Sequence, residues 1–81
     1  MRVDKFLNVV NITKRRAISE DMCRSGIVSI NGNIAKASKE IKIGDVISLN
    51  LNSGVRSYKV LALPTVKNIA KTEQSKYVEV L

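Results

Sequence analysis

Eighty-one residues, 44% of them hydrophobic and 26% charged, leave room for one small core and no second functional unit. Lys and Arg outnumber Asp and Glu by 14 to 7, which is the balance of a protein with a polyphosphate ligand; no apolar run nears the ~20 residues that span a bilayer, and no basic helix face is backed by large apolar residues for membrane-surface binding. With no histidine, one cysteine and seven acids without paired spacing, acid–base, covalent and metal chemistry lack a constellation to work with.

The first residues, Met1-Arg2-Val3-Asp4-Lys5-Phe6-Leu7, lack the apolar region and cleavage site of a secretory signal, which gives a cytoplasmic expectation. Val3, Phe6, Leu7 and Val10 recur at i, i+3, i+4 and i+7, one stripe of an amphipathic helix. After Asn11-Ile12-Thr13 a second helix is expected from Lys14 to Ser25, N-capped by Thr13, with Ile18 and Met22 inward and Arg16, Glu20 and Arg24 on the opposite stripe. Cys23, beside Arg24, is either a thiol with a depressed pKa or a small residue on a helix flank.

Gly26 reads as the left-handed stop of that helix. Ile27–Ile30 is of strand type, Asn31-Gly32 is a hairpin signal and Asn33–Ala35 begins the return strand. A polar connection, Lys36–Glu40, leads through Ile41–Ile43 and a turn at Gly44-Asp45 to a strand over Val46–Leu51, with Ile47, Leu49 and Leu51 on one face. Asn52-Ser53-Gly54 is a second turn, followed by a long strand from Val55 to Leu63 that ends at Pro64. Thr65–Ser75 is polar, and the spacing of Val66, Ile69 and Ala70 allows one or two helical turns before a terminal strand, Lys76–Val80. The plan is a single α+β domain, 1–81, whose two N-terminal helices pack on a small, mostly antiparallel sheet of about five strands.

The cations are unevenly placed: residues 1–42 hold nine of them against four anions. Arg2 falls at the start of the first helix and Lys14, Arg15 and Arg16 at the start of the second, where the helix dipole makes each cation unfavourable by ~0.3–1 kcal/mol. An incoming anion reverses that penalty, and the free N–H groups of a helix tip already suit phosphate. Arginine grips phosphate oxygens in pairs while lysine acts as a point charge, so Arg2, Arg15 and Arg16 are expected to position RNA, with Lys5, Lys14, Lys36 and Lys39 adding field. Thr13 and Ser38 each offer a hydroxyl, either to phosphate or to a cap and a turn. Arg24 is a further candidate, although Glu20 to Arg24 is the favoured i,i+4 ion pair. Lys5, Lys36 and Lys39 have the alternative role of keeping a surface soluble, and the Arg15 stem that of covering Met22. Few aromatics are present, Phe6 belongs to the core stripe, and no stacking platform for single-stranded bases is apparent; folded RNA is the natural ligand.

In five blocks, Arg2–Leu7, Thr13–Ala17, Gly26–Gly32, Lys36–Ser38 and Ile43–Ile47, the region 2–51 resembles an S4 RNA-binding domain and its αL motif. The remainder, 52–81, is similar to the additional strands of the stand-alone RqcP family of ribosome quality-control factors. That resemblance implies a non-catalytic protein that binds ribosomal RNA of the large ribosomal subunit, with tRNA as a second ligand, in rescue of stalled translation; the family's functional arginines correspond to Arg2 and Arg16. A monomer without cofactor, metal or small-molecule substrate is expected. Two alternatives from other classes are an accessory module serving an RNA-modifying enzyme in trans and a protein-binding scaffold whose strand from Val55 to Leu63 pairs with another chain.

Overall fold

The apolar stripe of the first segment forms α1, Val3–Val9, which removes Val3, Phe6 and Leu7 from solvent. The structure, a computed structural model, describes all residues, 1–81. Val10 caps α1, and the chain then wraps its C-terminal end: Asn11 N–H donates to Asn8 O at 3.0 Å, and Ile12 and Thr13 N–H both donate to Leu7 O, at 3.0 and 3.1 Å. Asn11 takes a left-handed conformation, φ 64°, which a short amide side chain tolerates better than most.

The second helix, α2, runs Arg16–Arg24, with Arg15 in the N-cap position. Thr13 is therefore not its cap. The Thr13 N–H belongs to the wrap around α1, and its buried hydroxyl is bonded to Ser19 Oγ at 2.5 Å. The inward line of α2 is also one residue later than the expected Ile18 and Met22: Ser19 and Cys23 are buried, Met22 is half-buried, and Ile18 is 44% exposed. A hydroxyl partner waiting at Thr13 makes Ser19, rather than the larger isoleucine, the residue that faces inward.

The sheet is antiparallel throughout, in the order β2-β1-β3-β4-β5, from β1 (Val28–Ile30), β2 (Asn33–Ile34), β3 (Val46–Leu51), β4 (Gly54–Val60) and β5 (Val78–Val80). Asn31 and Gly32 join β1 to β2 with φ 51° and 86°, the pair of positive values that a two-residue hairpin requires. The Asn31 amide also accepts from Val46 N–H at 2.9 Å and donates to Asp45 Oδ1 at 3.0 Å, tying the hairpin tip to the turn before β3. The core face presents Val28, Ile30, Ile47, Leu49, Tyr58, Val60 and Val78 to α1, in one hydrophobic cluster of 16 buried residues.

Beyond β4 the structure departs from expectation. The strand ends at Val60 rather than Leu63, because the N–H groups of Leu61 and Ala62 both turn to Tyr77 O. The helical turns lie at Lys71–Lys76, as a 3₁₀ helix, not around Val66–Ala70. Ile69 is instead an anchor in the core, 7% exposed, on a segment without regular structure. That 3₁₀ helix also takes up Lys76, so the terminal strand starts at Val78.

Candidate nucleic-acid interface

Asp4, in the first turn of α1, is entirely buried and uses both carboxylate oxygens. Oδ1 accepts from Lys5 N–H at 2.8 Å; Oδ2 accepts from Arg2 Nη2 at 3.2 Å and Arg16 Nε at 3.4 Å. One carboxylate on α1 thus holds the leading arginines of both helices side by side, and each keeps more than 40% of its side chain in solvent, 45% for Arg2 and 43% for Arg16. Glu20 adds a second carboxylate to Arg16 at 3.7 Å. Arg16 is therefore the most engaged cation of α2, and Arg24 pairs with Asp21 at 3.5 Å instead of with Glu20.

Arg2, Arg24, Lys36, Ala37 and Ser38, together with the acid Glu20 and the buried Cys23, line an open groove of about 510 Å³. Lys36 and Ser38 are shared with a neighbouring groove that Lys39 and Lys42 also line, beside the β1–β2 hairpin. Of the residues picked from sequence, Arg2, Arg16, Arg24, Lys36, Ser38 and Lys39 are thus brought together around Asp4 and the two grooves. Lys5, Lys14 and Arg15 are exposed and line neither groove. Thr13 departs from the expectation of an exposed hydroxyl: it is buried, and its hydroxyl is bonded to Ser19 inside the protein.

The two helix tips differ in what their backbone offers. At α1 the N–H groups of Val3 and Asp4 donate to Lys39 O (2.8 Å) and Ala37 O (3.4 Å), and Lys5 N–H to Asp4, so the N–H groups of the first three helical residues are already taken. The connection before β3 is held to this tip a third time, by the terminal amine of Met1 on Glu40 at 2.6 Å. The cationic side chains, not the backbone of α1, are what an anion meets there.

Asp4 is the residue of this cluster that charge counting passes over, because a lone acid in a first helical turn reads as a dipole partner. The signal in the sequence is its position two residues after Arg2 and twelve before Arg16. Cys23, beneath the groove, has its thiol pushed up from the ordinary value of 9.0 by burial first and by the Asp4 and Glu20 charges, with Arg2 opposing. Burial thus opposes the depressed-pKa alternative, and Cys23 sits in the core as a small buried residue.

A helix pair laid on a small antiparallel sheet, with paired arginines at its leading tips, defines the S4 class of domain, and the family model described as the S4 domain matches residues 1–47. An RQC P-site tRNA stabilizing factor of Helicobacter pylori strain J99 is 47% identical over 78 residues, 96% of this chain and 93% of that protein. The protein of the same name in Bacillus subtilis is 37% identical, covering 93% of this chain and 84% of its own length. A heat shock protein 15 homolog of Haemophilus influenzae is 32% identical over 98% of this chain and 60% of its own. Among solved structures, trimeric Vibrio cholerae heat shock protein 15 superposes with a TM-score of 0.90 at 25% identity, covering all of this chain and 81% of that one. The solution structure of HP1423 does so at 0.87 and 44% identity, over all of this chain and 96% of that one. The chain belongs to the family of RQC P-site tRNA stabilizing factors, within the S4 domain class.

Proposed function

We propose that this protein is a non-catalytic, monomeric RNA-binding factor that docks on ribosomal RNA of the large ribosomal subunit beside P-site tRNA, in quality control of stalled translation. The observation that carries the proposal is the Asp4-centred pairing of Arg2 with Arg16 next to a groove lined by Arg24, Lys36 and Ser38. Two half-exposed guanidiniums fixed side by side match neighbouring phosphate oxygens, and the lysines around them supply field without fixed geometry. The aromatic rings support folded RNA as the ligand: Phe6 and Tyr58 are buried, and Tyr77 is half-buried against the core, so the three form no exposed platform for base stacking. Membership of a family whose relatives are named for stabilising P-site tRNA supports the ribosomal setting.

The test is co-sedimentation with purified bacterial large subunits carrying P-site tRNA, on sucrose gradients run with and without a stalling drug beforehand. The parent chain should travel with the subunits, and Arg16→Glu should remain at the top of the gradient while keeping a folded circular-dichroism spectrum. Equal binding by Arg16→Glu at the same ionic strength would remove the interface, and a parent chain that never leaves the top would remove the ribosomal partner.

A further inference from the structure

The elbow between α1 and α2 delivers Lys14, Arg15 and Arg16, and it is clamped from outside the region that matches the S4 family. The last four carbonyls of a helix have no partner within it, and here each acceptor at the end of α1 can be followed. Leu7 O and Asn8 O are taken by the elbow itself, as described above. Val9 O accepts from Ile69 N–H at 3.4 Å and Val10 O from Gln74 Nε2 at 2.7 Å. In return Asn11 Nδ2 donates to Ile69 O at 2.7 Å. Three hydrogen bonds therefore cross between the helix end and the 69–74 segment, which Ile69 anchors in the core and the 3₁₀ helix joins to β5.

We propose that the segment 69–74 is a positioning element for RNA binding, in which Gln74 and Asn11 act on the elbow so that the cations at the start of α2 face the ligand; this rests on the RNA-binding function proposed above. The chain reverses direction at Asn11 in a left-handed conformation, so the exit of the elbow depends on a residue that most side chains would destabilise there. The Asn11 amide bond to Ile69 O fixes that reversal from one side, and the Thr13–Ser19 bond fixes it to α2 from the other. Gln74 carries no charge, and its side-chain amide bonds to Val10 O rather than to Asp4 or the arginines. Its effect on RNA would pass entirely through the geometry of the elbow.

The experiment uses the full chain and large subunits carrying P-site tRNA as the probe. Gln74→Ala and Asn11→Gly, the latter keeping the left-handed conformation accessible, should each weaken binding about two- to thirtyfold, the range over which residues without ligand contact modulate a site. The slope of affinity against salt should stay that of the parent, since no phosphate contact is removed. Backbone amide shifts at Lys14–Arg16 should move, and those of β1 should not. Val60→Ala, a core truncation in β4 that leaves the clamp intact, is the control for stability: it should lower the melting temperature at least as much without weakening binding. Parent-like affinity in both clamp variants would overturn the positioning role, and so would an equal loss in Val60→Ala. If Arg16→Glu also binds normally, the failure belongs to the interface itself and not to the clamp.

Discussion

Asp4 shows how a single buried carboxylate organises a basic surface. It lies out of solvent, with one oxygen on the Lys5 N–H and the other on two guanidiniums. Two effects compete when it is neutralised: the surface becomes one charge more positive, which favours polyanions, and the arginines lose their common anchor. Because added charge acts over a screened range of about 8–10 Å whatever its placement, while paired phosphate contacts require fixed guanidiniums, the loss of the anchor should dominate. Asp4→Asn keeps the Lys5 contact and is expected to lower stability by ~1.5–3 kcal/mol, the scale of hydrogen bonds to charged groups. It should also weaken RNA binding; urea denaturation and a binding titration check the two halves. The arginines themselves are legible in the sequence as cations where a helix dipole disfavours them. Asp4 is not, because its two partners come from different helices and only the folded elbow brings Arg16 back to it.

At the scale of elements, periodicity identifies α1 and all five strands and misplaces the start and the face of α2. The Ile18–Met22 spacing fits a helix as well as Ser19–Cys23 does, and hydrophobicity favours the former. The fold selects the latter because Thr13, held on Leu7 O, presents a buried hydroxyl that needs a partner. Ser19→Ala should therefore cost ~1–3 kcal/mol by stranding that hydroxyl, and adding Thr13→Val should recover most of the loss, since removing both partners is nearly neutral. A double-mutant cycle in urea measures it. The same face carries Cys23, whose thiol burial pushes above its ordinary value of 9.0. A group whose folded pKa is raised gives its full stability below the unfolded pKa and loses it as pH climbs from there through the folded value. Between neutral and alkaline pH the parent should therefore lose more melting temperature than Cys23→Ala, and iodoacetamide should modify the folded thiol slowly. The C-terminal elements are the least legible: Ile69 is an isolated anchor in a polar segment, and an isolated anchor has no period.

For the whole molecule, the +7 charge sets how binding responds to salt. Each phosphate neutralised releases counterions, so the logarithm of the binding constant falls with log salt by about 0.7–0.9 per contact. The structure divides the cations into two kinds. Arg2, Arg16 and Arg24 are paired with Asp4, Glu20 or Asp21, whereas Lys5, Lys14, Arg15, Lys36 and Lys39 make no ion pair within the chain. An unpaired lysine on a groove wall contributes its charge without giving up a partner. Lys36→Ala, on the wall shared by both grooves, should then reduce the salt slope by about one contact's worth and weaken binding to every RNA alike. Arg16→Ala leaves Asp4 with Arg2 alone and Glu20 with no cation, and the uncompensated carboxylate charge then opposes the same phosphates. Its affinity loss should exceed that of Lys36→Ala at every salt concentration. Titrations of both variants across a salt series decide the matter: superimposed curves would mean that the carboxylate-held arginine contributes only its charge.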